Sequence, residues 1–155
     1  MKSLDIVPFR PLSRVRRPDL DDEVTGELHV LGALVAGPPV VVDESTPISV
    51  VRDRLVQQRI SAVVVCDHDR ALRGLVTRTD VLRSPPGATA GQAMSPFVFA
   101  LPAVSRIERA AALMAYEEVA QVVVVGCDNE LIGIVSAVDI ARHLAIVAGF
   151  YPDIS

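Results

Sequence analysis

The sequence contains little that would suit a membrane or a nucleic acid. Its longest apolar stretch, 30–42, is interrupted by a Gly-Pro-Pro triplet at 37–39 and falls short of the ~20 residues that a transmembrane helix needs. The 15 lysines and arginines are outnumbered by 19 aspartates and glutamates, so there is no basic excess to neutralise the phosphates of a nucleic acid. We therefore expect a cytoplasmic protein that binds neither membranes nor nucleic acids.

Cysteine is scarce as well, with Cys66 and Cys127 the only 2 in the chain. Two thiols do not make a disulfide framework, and they fit a reducing compartment. Together with His68 they offer three candidate ligands, whereas a structural zinc site requires four. The sequence therefore predicts no metal site.

Signatures of catalysis are also missing. The chain has no Gly-rich Walker loop, no nucleophile elbow and no His-Glu-x-x-His pair. Ser136, Asp139 and His143 can be combined into a triad on paper, but their spacing supplies neither an oxyanion hole nor an ordered base. We expect no catalytic residues and no enzymatic activity.

What the sequence does contain is one segment repeated. Residues 74–80 and 133–139 each consist of a glycine, two aliphatic residues, a hydroxyl residue and, three positions later, an aspartate, at an offset of 59. The same offset pairs the preceding segments without a gap. A chain of 155 residues that is 50% hydrophobic can form one compact body, whereas each half alone would be marginal. We therefore expect an internal repeat whose halves fold together.

Each half predicts the order strand, helix, strand, strand, helix. Runs of β-branched residues predict buried strands at 62–66 and 121–125. The other strands are expected at 40–42, 72–76, 99–101 and 131–135. Apolar residues at i, i+3 and i+7 predict a helix with one buried face in each half. The residues of these faces are Ile48, Val51 and Leu55, and Ile107, Ala110 and Met114.

The first helix of each half begins after a hydroxyl residue. Thr46 and Ser105 are expected to be N-caps, and Pro47 stands at the position that proline favours as the first helical residue. These residues predict that the helices start at 47 and 106.

The hydroxyl residue and aspartate of the repeated segment have two interpretations. Thr77 with Asp80, and Ser136 with Asp139, fit a capping box at the start of the last helix of each half. They also fit a nucleotide, because a helix start binds phosphate and a carboxylate accepts hydrogen bonds from a ribose diol. Both interpretations can hold together.

These features resemble the tandem CBS (cystathionine beta-synthase) domain pair, or Bateman module. The resemblance rests on the order of elements, the doubled Gly-aliphatic-aliphatic-[Ser/Thr]-x-x-Asp segment and the sequence Ala93-Met94-Ser95-Pro96 before the second copy, and covers about 31–144. It implies an α/β fold in which two pseudo-symmetric CBS motifs pack sheet to sheet, and a homodimer. We expect a flexible or dimer-clasping arm at 1–27, motifs at 28–84 and 92–148, a linker at 85–91 and a tail at 149–155.

The resemblance also implies two ligand sites. Asp80 and Asp139 would hold ribose hydroxyls, and Thr77 and Ser136 would face phosphates. The adenine contacts and the pocket walls would come from residues before the first two strands of each motif. In the first motif these are Pro39, Val40, Ile60, Ser61 and Ala62, and in the second Val98, Phe99, Val119, Ala120 and Gln121. Their alternative role is ordinary core packing.

The sequence differs between its two sites at one position and departs from the family pattern at another. Arg78 follows the first hydroxyl residue and could reach a phosphate, whereas its counterpart is Ala137. We therefore expect the first site to suit anionic nucleotides. Val63 and Val122 stand where many family members have proline, which puts in doubt the backbone that meets the base. Arg83 and Arg142 lie three residues after the aspartates, at the spacing of a helical ion pair, and would either neutralise an empty site or contact the ligand.

The function that follows is regulation without catalysis. The sequence predicts a bacterial module that needs no cofactor, binds AMP, ADP or ATP between its motifs and signals in trans to an unknown protein target. One alternative is a scaffold that keeps the fold without binding a ligand. Another is a sensor of a different adenosine compound such as S-adenosylmethionine, which would need no phosphate donors.

Overall fold

The computed structural model describes residues 29–150. The predicted arm, 1–27, and the end of the predicted tail, 151–155, lie outside the described residues. The first half contains a short 3₁₀ helix, Leu31–Leu34, and then β1 (Val41–Asp43), α1 (Ile48–Gln57), β2 (Ala62–Cys66), β3 (Leu72–Thr77) and α2 (Arg78–Arg83). The second half contains α3 (Ala90–Ala93), β4 (Ala100–Pro102), α4 (Ile107–Glu117), β5 (Gln121–Val125), β6 (Leu131–Ser136) and α5 (Ala137–Val147). The α/β fold is confirmed.

Each half builds a three-stranded sheet, in the orders β1-β2-β3 and β4-β5-β6. The first two strands of each sheet are parallel and the last two antiparallel. The register repeats with the sequence offset, since Val64 pairs with Leu75 in one sheet and Val123 with Ile134 in the other. No helix within residues 29–150 is long and apolar enough to cross a membrane.

The two sheets face each other across a shared apolar layer, which confirms the predicted sheet-to-sheet packing. Val64 and Val123, from the two central strands, are both fully buried in this layer. Cys66 also lies there, and burial, followed by the charge of Asp67, raises the pKa of its thiol. It is therefore a core residue rather than a reactive one. Cys127 is exposed.

The outer face of the first sheet is covered by α1, α2 and α3, and that of the second sheet by α4, α5 and the 3₁₀ helix. All six residues predicted for the buried faces of α1 and α4 are buried, and they belong to two separate cores. The helical periodicity in the sequence therefore identified the packing faces correctly. We call β1–α2 the first motif and β4–α5 the second motif.

The predicted N-caps of α1 and α4 are wrong. Pro47 and Arg106 occupy the cap positions without a side-chain cap, and the helices begin one residue later than predicted. The Thr46 Oγ1 instead accepts a hydrogen bond from the Asp43 N–H, at 3.2 Å. The N–H at the start of α1 finds another partner, because Ile48 donates to the Ala88 carbonyl at 2.9 Å. A distant segment thus satisfies the helix start that a local hydroxyl was expected to cap.

The strand boundaries also differ slightly from the prediction. Strands β1 and β4 are shifted by one residue towards the C-terminus, and β3 and β6 extend by one residue to include Thr77 and Ser136. Both hydroxyl residues therefore end a strand and cap the following helix. The short helix α3 was not predicted.

The segments that lead into β1 and β4 cross to the opposite motif. We call residues 29–40 the first lead and residues 88–99 the second lead. Leu31 of the first lead is fully buried in the core of the second motif. Ala90 of the second lead is fully buried in the core of the first motif. Each core is therefore completed by the segment that precedes the other motif.

Candidate functional site

The predicted residues of the first site come together at one end of the first sheet. Ala62 at the start of β2 pairs with Thr77 at the end of β3. Beside them, the Val40 carbonyl accepts a hydrogen bond from Val64 N–H at 2.9 Å, which holds the end of the first lead against β2. The structure therefore places the predicted sets 39–40, 60–62 and 77–80 around one sheet end.

The second sheet repeats this arrangement. Gln121 pairs with Ser136, and the Phe99 carbonyl accepts from Val123 N–H at 2.9 Å. Val98 is buried in the layer between the sheets, and Phe99 packs half-buried against the second core. Their packing fits the core role that the sequence left open for them.

A capping box starts the helix at both sheet ends. Thr77 donates from its N–H and Oγ1 to Asp80 Oδ2, at 2.7 and 2.8 Å, and its Oγ1 accepts from Asp80 N–H at 3.3 Å. Ser136 and Asp139 make the same three bonds at 2.8, 2.8 and 3.2 Å. Each box satisfies an N–H at the start of its helix and fixes one oxygen of the aspartate. The position of each carboxylate is therefore set before any ligand arrives.

The second oxygen of each aspartate distinguishes the sites. Within residues 29–150, Asp80 Oδ1 has neither a hydrogen bond nor an ion pair. Asp139 Oδ1 instead accepts from Arg142 Nη1 at 3.3 Å. Arg83, the equivalent of Arg142, makes no ion pair in the part of the chain that the structure describes. The predicted ion pair thus forms only in the second motif, and Asp80 keeps one oxygen available.

The residue after the hydroxyl creates a second difference. Arg78 is exposed, and its Nη2 donates to the Ile60 carbonyl at 3.2 Å, so a guanidinium lies at the edge of the first site. At the same place in the second motif, Ala137 donates its backbone N–H to the Ala120 carbonyl at 2.8 Å. The first sheet end therefore carries a guanidinium that is not paired with its aspartate, whereas the guanidinium at the second end, that of Arg142, is bonded to Asp139.

An apolar groove of about 430 Å³ runs between α4 and α5. It reaches the second sheet end, because three of its lining residues are Val119, Ala120 and Ala137. This groove was not predicted from the sequence. Its signal was the alanines at helical spacing, which leave space between two packed helices. The remaining lining residues are Ala111, Met114, Ala115, Glu118, Ile140, Ala141 and Leu144.

Residues 29–150 contain no group of three histidine, cysteine or acidic side chains arranged to hold a metal ion. His29 and His143 do meet, with ring centroids 5.9 Å apart and nearly perpendicular planes. This contact attaches the start of the first lead to α5.

Comparison with protein families gives a match to the CBS domain model over residues 31–87 and again over 90–146. Among characterised proteins, Hypoxic response protein 1 of Mycobacterium tuberculosis is 32% identical over 92 residues, which are 55% of this chain and 64% of that protein. The match therefore spans less than two thirds of that relative.

Solved structures of similar fold include two proteins in complex with adenosine compounds. A CBS domain protein from Pyrobaculum aerophilum, complexed with AMP, is 23% identical with a TM-score of 0.68, covering 78% of this chain and 97% of that one. A CBS domain pair in complex with 5′-methylthioadenosine and S-adenosyl-L-methionine is 20% identical with a TM-score of 0.69, covering 79% and 98%. At these identities the likeness establishes the fold.

Proposed function

The chain belongs to the CBS domain family as a tandem pair, and from this we propose that it is a regulatory module that binds an adenine nucleotide at the first sheet end. CBS domain pairs are generally non-catalytic regulatory modules. The observation that carries the proposal is Asp80, whose Oδ2 is fixed by the capping box while its Oδ1 has no partner within residues 29–150.

A carboxylate held in this way suits a ribose. It accepts hydrogen bonds only, and the two adjacent hydroxyls of a ribose can both donate to it. Such charge-assisted bonds are stronger than those between neutral groups. Because the cap already orders the Asp80 side chain, little conformational entropy is lost when the sugar binds.

The phosphate group of the ligand would be met by Arg78. Its guanidinium is exposed and donates to one carbonyl, that of Ile60, so its remaining N–H groups can donate to phosphate oxygens. Thr77 is less available, because its hydroxyl already bonds to Asp80 as donor and acceptor. We therefore assign the phosphate contact mainly to Arg78.

The base would lie against the backbone at 60–62 and the apolar side chains of the first lead. Pro39 and Val40 are half-buried at this sheet end. The exposed part of their apolar side chains can therefore pack against the planar ring of the base. The relative from Pyrobaculum aerophilum, whose structure contains AMP, supports an adenine ligand. The complex with S-adenosyl-L-methionine keeps that compound as the competing ligand.

We also propose that the module associates as a homodimer through α4 and α5. Tyr116 and Leu144, on these helices, are 57% and 51% exposed, and the groove between the helices is apolar. Exposed apolar side chains on the helices of an apolar groove are typical of a contact site. Nucleotide binding would then change the surface offered to a protein target in trans.

The experiment that tests this function is a thermal-shift titration with AMP, ADP, ATP, S-adenosylmethionine and adenosine. A ligand at ~100 times its dissociation constant should add about 2.7 kcal/mol of apparent stability. We expect the largest stabilisation from a phosphorylated nucleotide.

Asp80→Ala and Asp139→Ala form a matched pair for this titration, because each variant loses one capping box. Nucleotide stabilisation should disappear in Asp80→Ala and persist in Asp139→Ala. If no compound stabilises the folded wild-type protein at millimolar concentration, the scaffold alternative is correct. Stabilisation by S-adenosylmethionine alone would identify the other adenosine sensor.

A further inference from the structure

The helices of the two motifs carry opposite charges. We call residues 48–59 and 78–83 the first helix pair, and residues 107–118 and 137–147 the second helix pair. The first contains five arginines and two aspartates, whereas the second contains four acidic residues and two arginines. At neutral pH the first helix pair is therefore positive and the second negative. The five arginines are Arg52, Arg54, Arg59, Arg78 and Arg83, none of which is buried.

The difference is sharpest where the first helix of each pair ends. Arg59 and Glu118 stand at equivalent positions of the repeat, and both have a left-handed backbone, with φ of 53° and 54°. Both side chains are exposed. The same point of the same backbone therefore presents a guanidinium in one motif and a carboxylate in the other.

The two helix pairs also differ in the size of their apolar side chains. Leu82 and Val56, on the first helix pair, are 85% and 71% exposed. At the equivalent positions of the second pair stand Ala141 and Ala115, which both line the groove between α4 and α5. Helix α1 packs beside α2 as α4 packs beside α5. The first helix pair therefore presents large exposed apolar side chains at the positions where the second has a groove.

We propose that two copies of the chain associate reciprocally, with the first helix pair of each copy packed on the second helix pair of the other. This inference rests on the homodimer of the proposed function and names the surface that α4 and α5 contact. Leu82 and Val56 of one copy would enter the groove between α4 and α5 of the other. A two-fold axis repeats this contact, so both grooves are filled.

The arrangement in which equivalent helix pairs meet is less favourable. It would bring the arginines of two first helix pairs together, and the acidic residues of two second pairs, and like charges across an interface cost free energy. Two second helix pairs would also leave their grooves lined by alanines on both sides, without side chains to fill them. Atoms that line an unfilled space lose packing contacts. Reciprocal packing satisfies both the charges and the shapes.

The first test is the dimer dissociation constant of the full chain, measured by analytical ultracentrifugation at several salt concentrations. In the reciprocal arrangement the constant should rise with ionic strength, because salt screens the attraction between opposite charges. If equivalent helix pairs meet, salt screens repulsion and the constant should fall. Leu82→Ala should raise the constant about tenfold or more, because a two-fold axis buries this side chain twice. Val104→Ala is the matched control, since Val104 is 81% exposed and lies outside both helix pairs; it should change nothing.

The second test is cross-linking with a short bismaleimide, using Leu82→Cys and Ala141→Cys, each combined with Cys127→Ser. Cys66 is buried and should not react. We expect a cross-linked dimer from a mixture of the two variants and none from either variant alone.

Each other outcome contradicts the proposal. Cross-linking of Leu82→Cys with itself, or a dimer whose mixture does not cross-link, overturns the reciprocal arrangement alone. A wild-type chain that stays monomeric overturns the homodimer and its arrangement together, whereas nucleotide binding is decided separately by the thermal-shift titration.

Discussion

The ends of the first and second sheets hold the same capping box and differ in the charges around it. The bond from the capping N–H to the aspartate is 2.7 Å long in the first and 2.8 Å in the second. Yet Oδ1 of Asp80 has no partner among the described residues, whereas Oδ1 of Asp139 accepts a hydrogen bond from Arg142. The same capping box thus leaves one aspartate oxygen without a partner among the described residues at the first sheet end and pairs it with an arginine at the second.

The helices that follow the two boxes differ in length for a simple reason. Helix α2 has 6 residues and ends before Pro85, whereas α5 has 11. A residue that precedes proline is disfavoured in helical conformation, so α2 stops at Arg83 and Ser84 takes an extended backbone. In the second copy Leu144 stands where Pro85 stands in the first, and α5 continues to form one wall of the groove. The second motif therefore has a helical surface that lines the groove at the position where the first motif has a linker.

The largest effect on stability is expected from substitutions at the buried residues of the two leads. Leu31→Ala removes a fully buried side chain from the second core, and such truncations cost about 2–5 kcal/mol of unfolding free energy. Urea denaturation followed by circular dichroism measures the loss.

Ala90→Gly is the corresponding change in the second lead. It removes only one methyl group from the first core, so its cost should be about 1 kcal/mol. Equal losses for the two variants would show that the two cores depend equally on their leads and would contradict this asymmetry.

Arg78 provides the next largest difference, this time in ligand binding. Arg78→Ala should weaken AMP and ATP binding about tenfold or more, since a hydrogen bond to a charged group contributes about 1.5–3 kcal/mol. Adenosine, which has no phosphate, should bind equally to both proteins. Calorimetry with the three compounds checks this.

The reverse substitution sharpens the same comparison. Ala137→Arg places a guanidinium at the second sheet end, where the wild-type residue offers only its backbone N–H to Ala120. Nucleotide affinity at the second site should rise in this variant. If Arg78→Ala weakens adenosine as much as ATP, Arg78 supports the fold of the site and does not contact phosphate.

The elements of the fold were predictable because their signals are local. Periodicity identified the buried faces of α1 and α4, and β-branched runs identified β2 and β5. The cap of α1 was not predictable, because Ala88, 40 positions from Ile48, takes the role expected of Thr46. The crossing of the leads is likewise a tertiary fact, and no spacing within the sequence states which core receives Leu31.

In the candidate site, too, the local features were predictable and the tertiary ones were not. The repeated segment correctly indicated both capping boxes, since all their partners lie within three residues. The different behaviour of Arg83 and Arg142 was not predictable, because both stand at the same spacing from an aspartate. The groove between α4 and α5 was not predictable from the spacing of its alanines alone, because that spacing does not state which two helices pack side by side.

Loss of a capping hydroxyl should affect the two motifs unequally. Ser136 caps a helix that buries Ile140 in the core, whereas Thr77 caps a helix with no buried residue. Removing an N-cap costs about 0.5–2 kcal/mol. We expect the loss of unfolding free energy in Ser136→Ala to lie at the upper end of this range, because fraying of α5 would disturb the core. The loss in Thr77→Ala should lie at the lower end. Urea denaturation of both variants makes the comparison, and a larger loss for Thr77→Ala would show that α2 contributes more to stability than its exposure indicates.

The smallest expected effect on stability belongs to Arg142→Ala, and it sharpens the comparison most directly. The Arg142–Asp139 pair joins side chains that are 59% and 35% exposed, and exposed ion pairs contribute about 0.2–1 kcal/mol. The unfolding free energy should therefore hardly change.

The substitution nevertheless releases Asp139 Oδ1 and makes the second carboxylate resemble Asp80. If this pair is what separates the sites, Arg142→Ala should create a second binding event in calorimetry, strengthened further by Ala137→Arg. Arg83→Ala, which frees no carboxylate, should leave the number of events unchanged. A single event in all three proteins would mean that backbone differences at the second sheet end, such as the Ala137–Ala120 bond, exclude the ligand there.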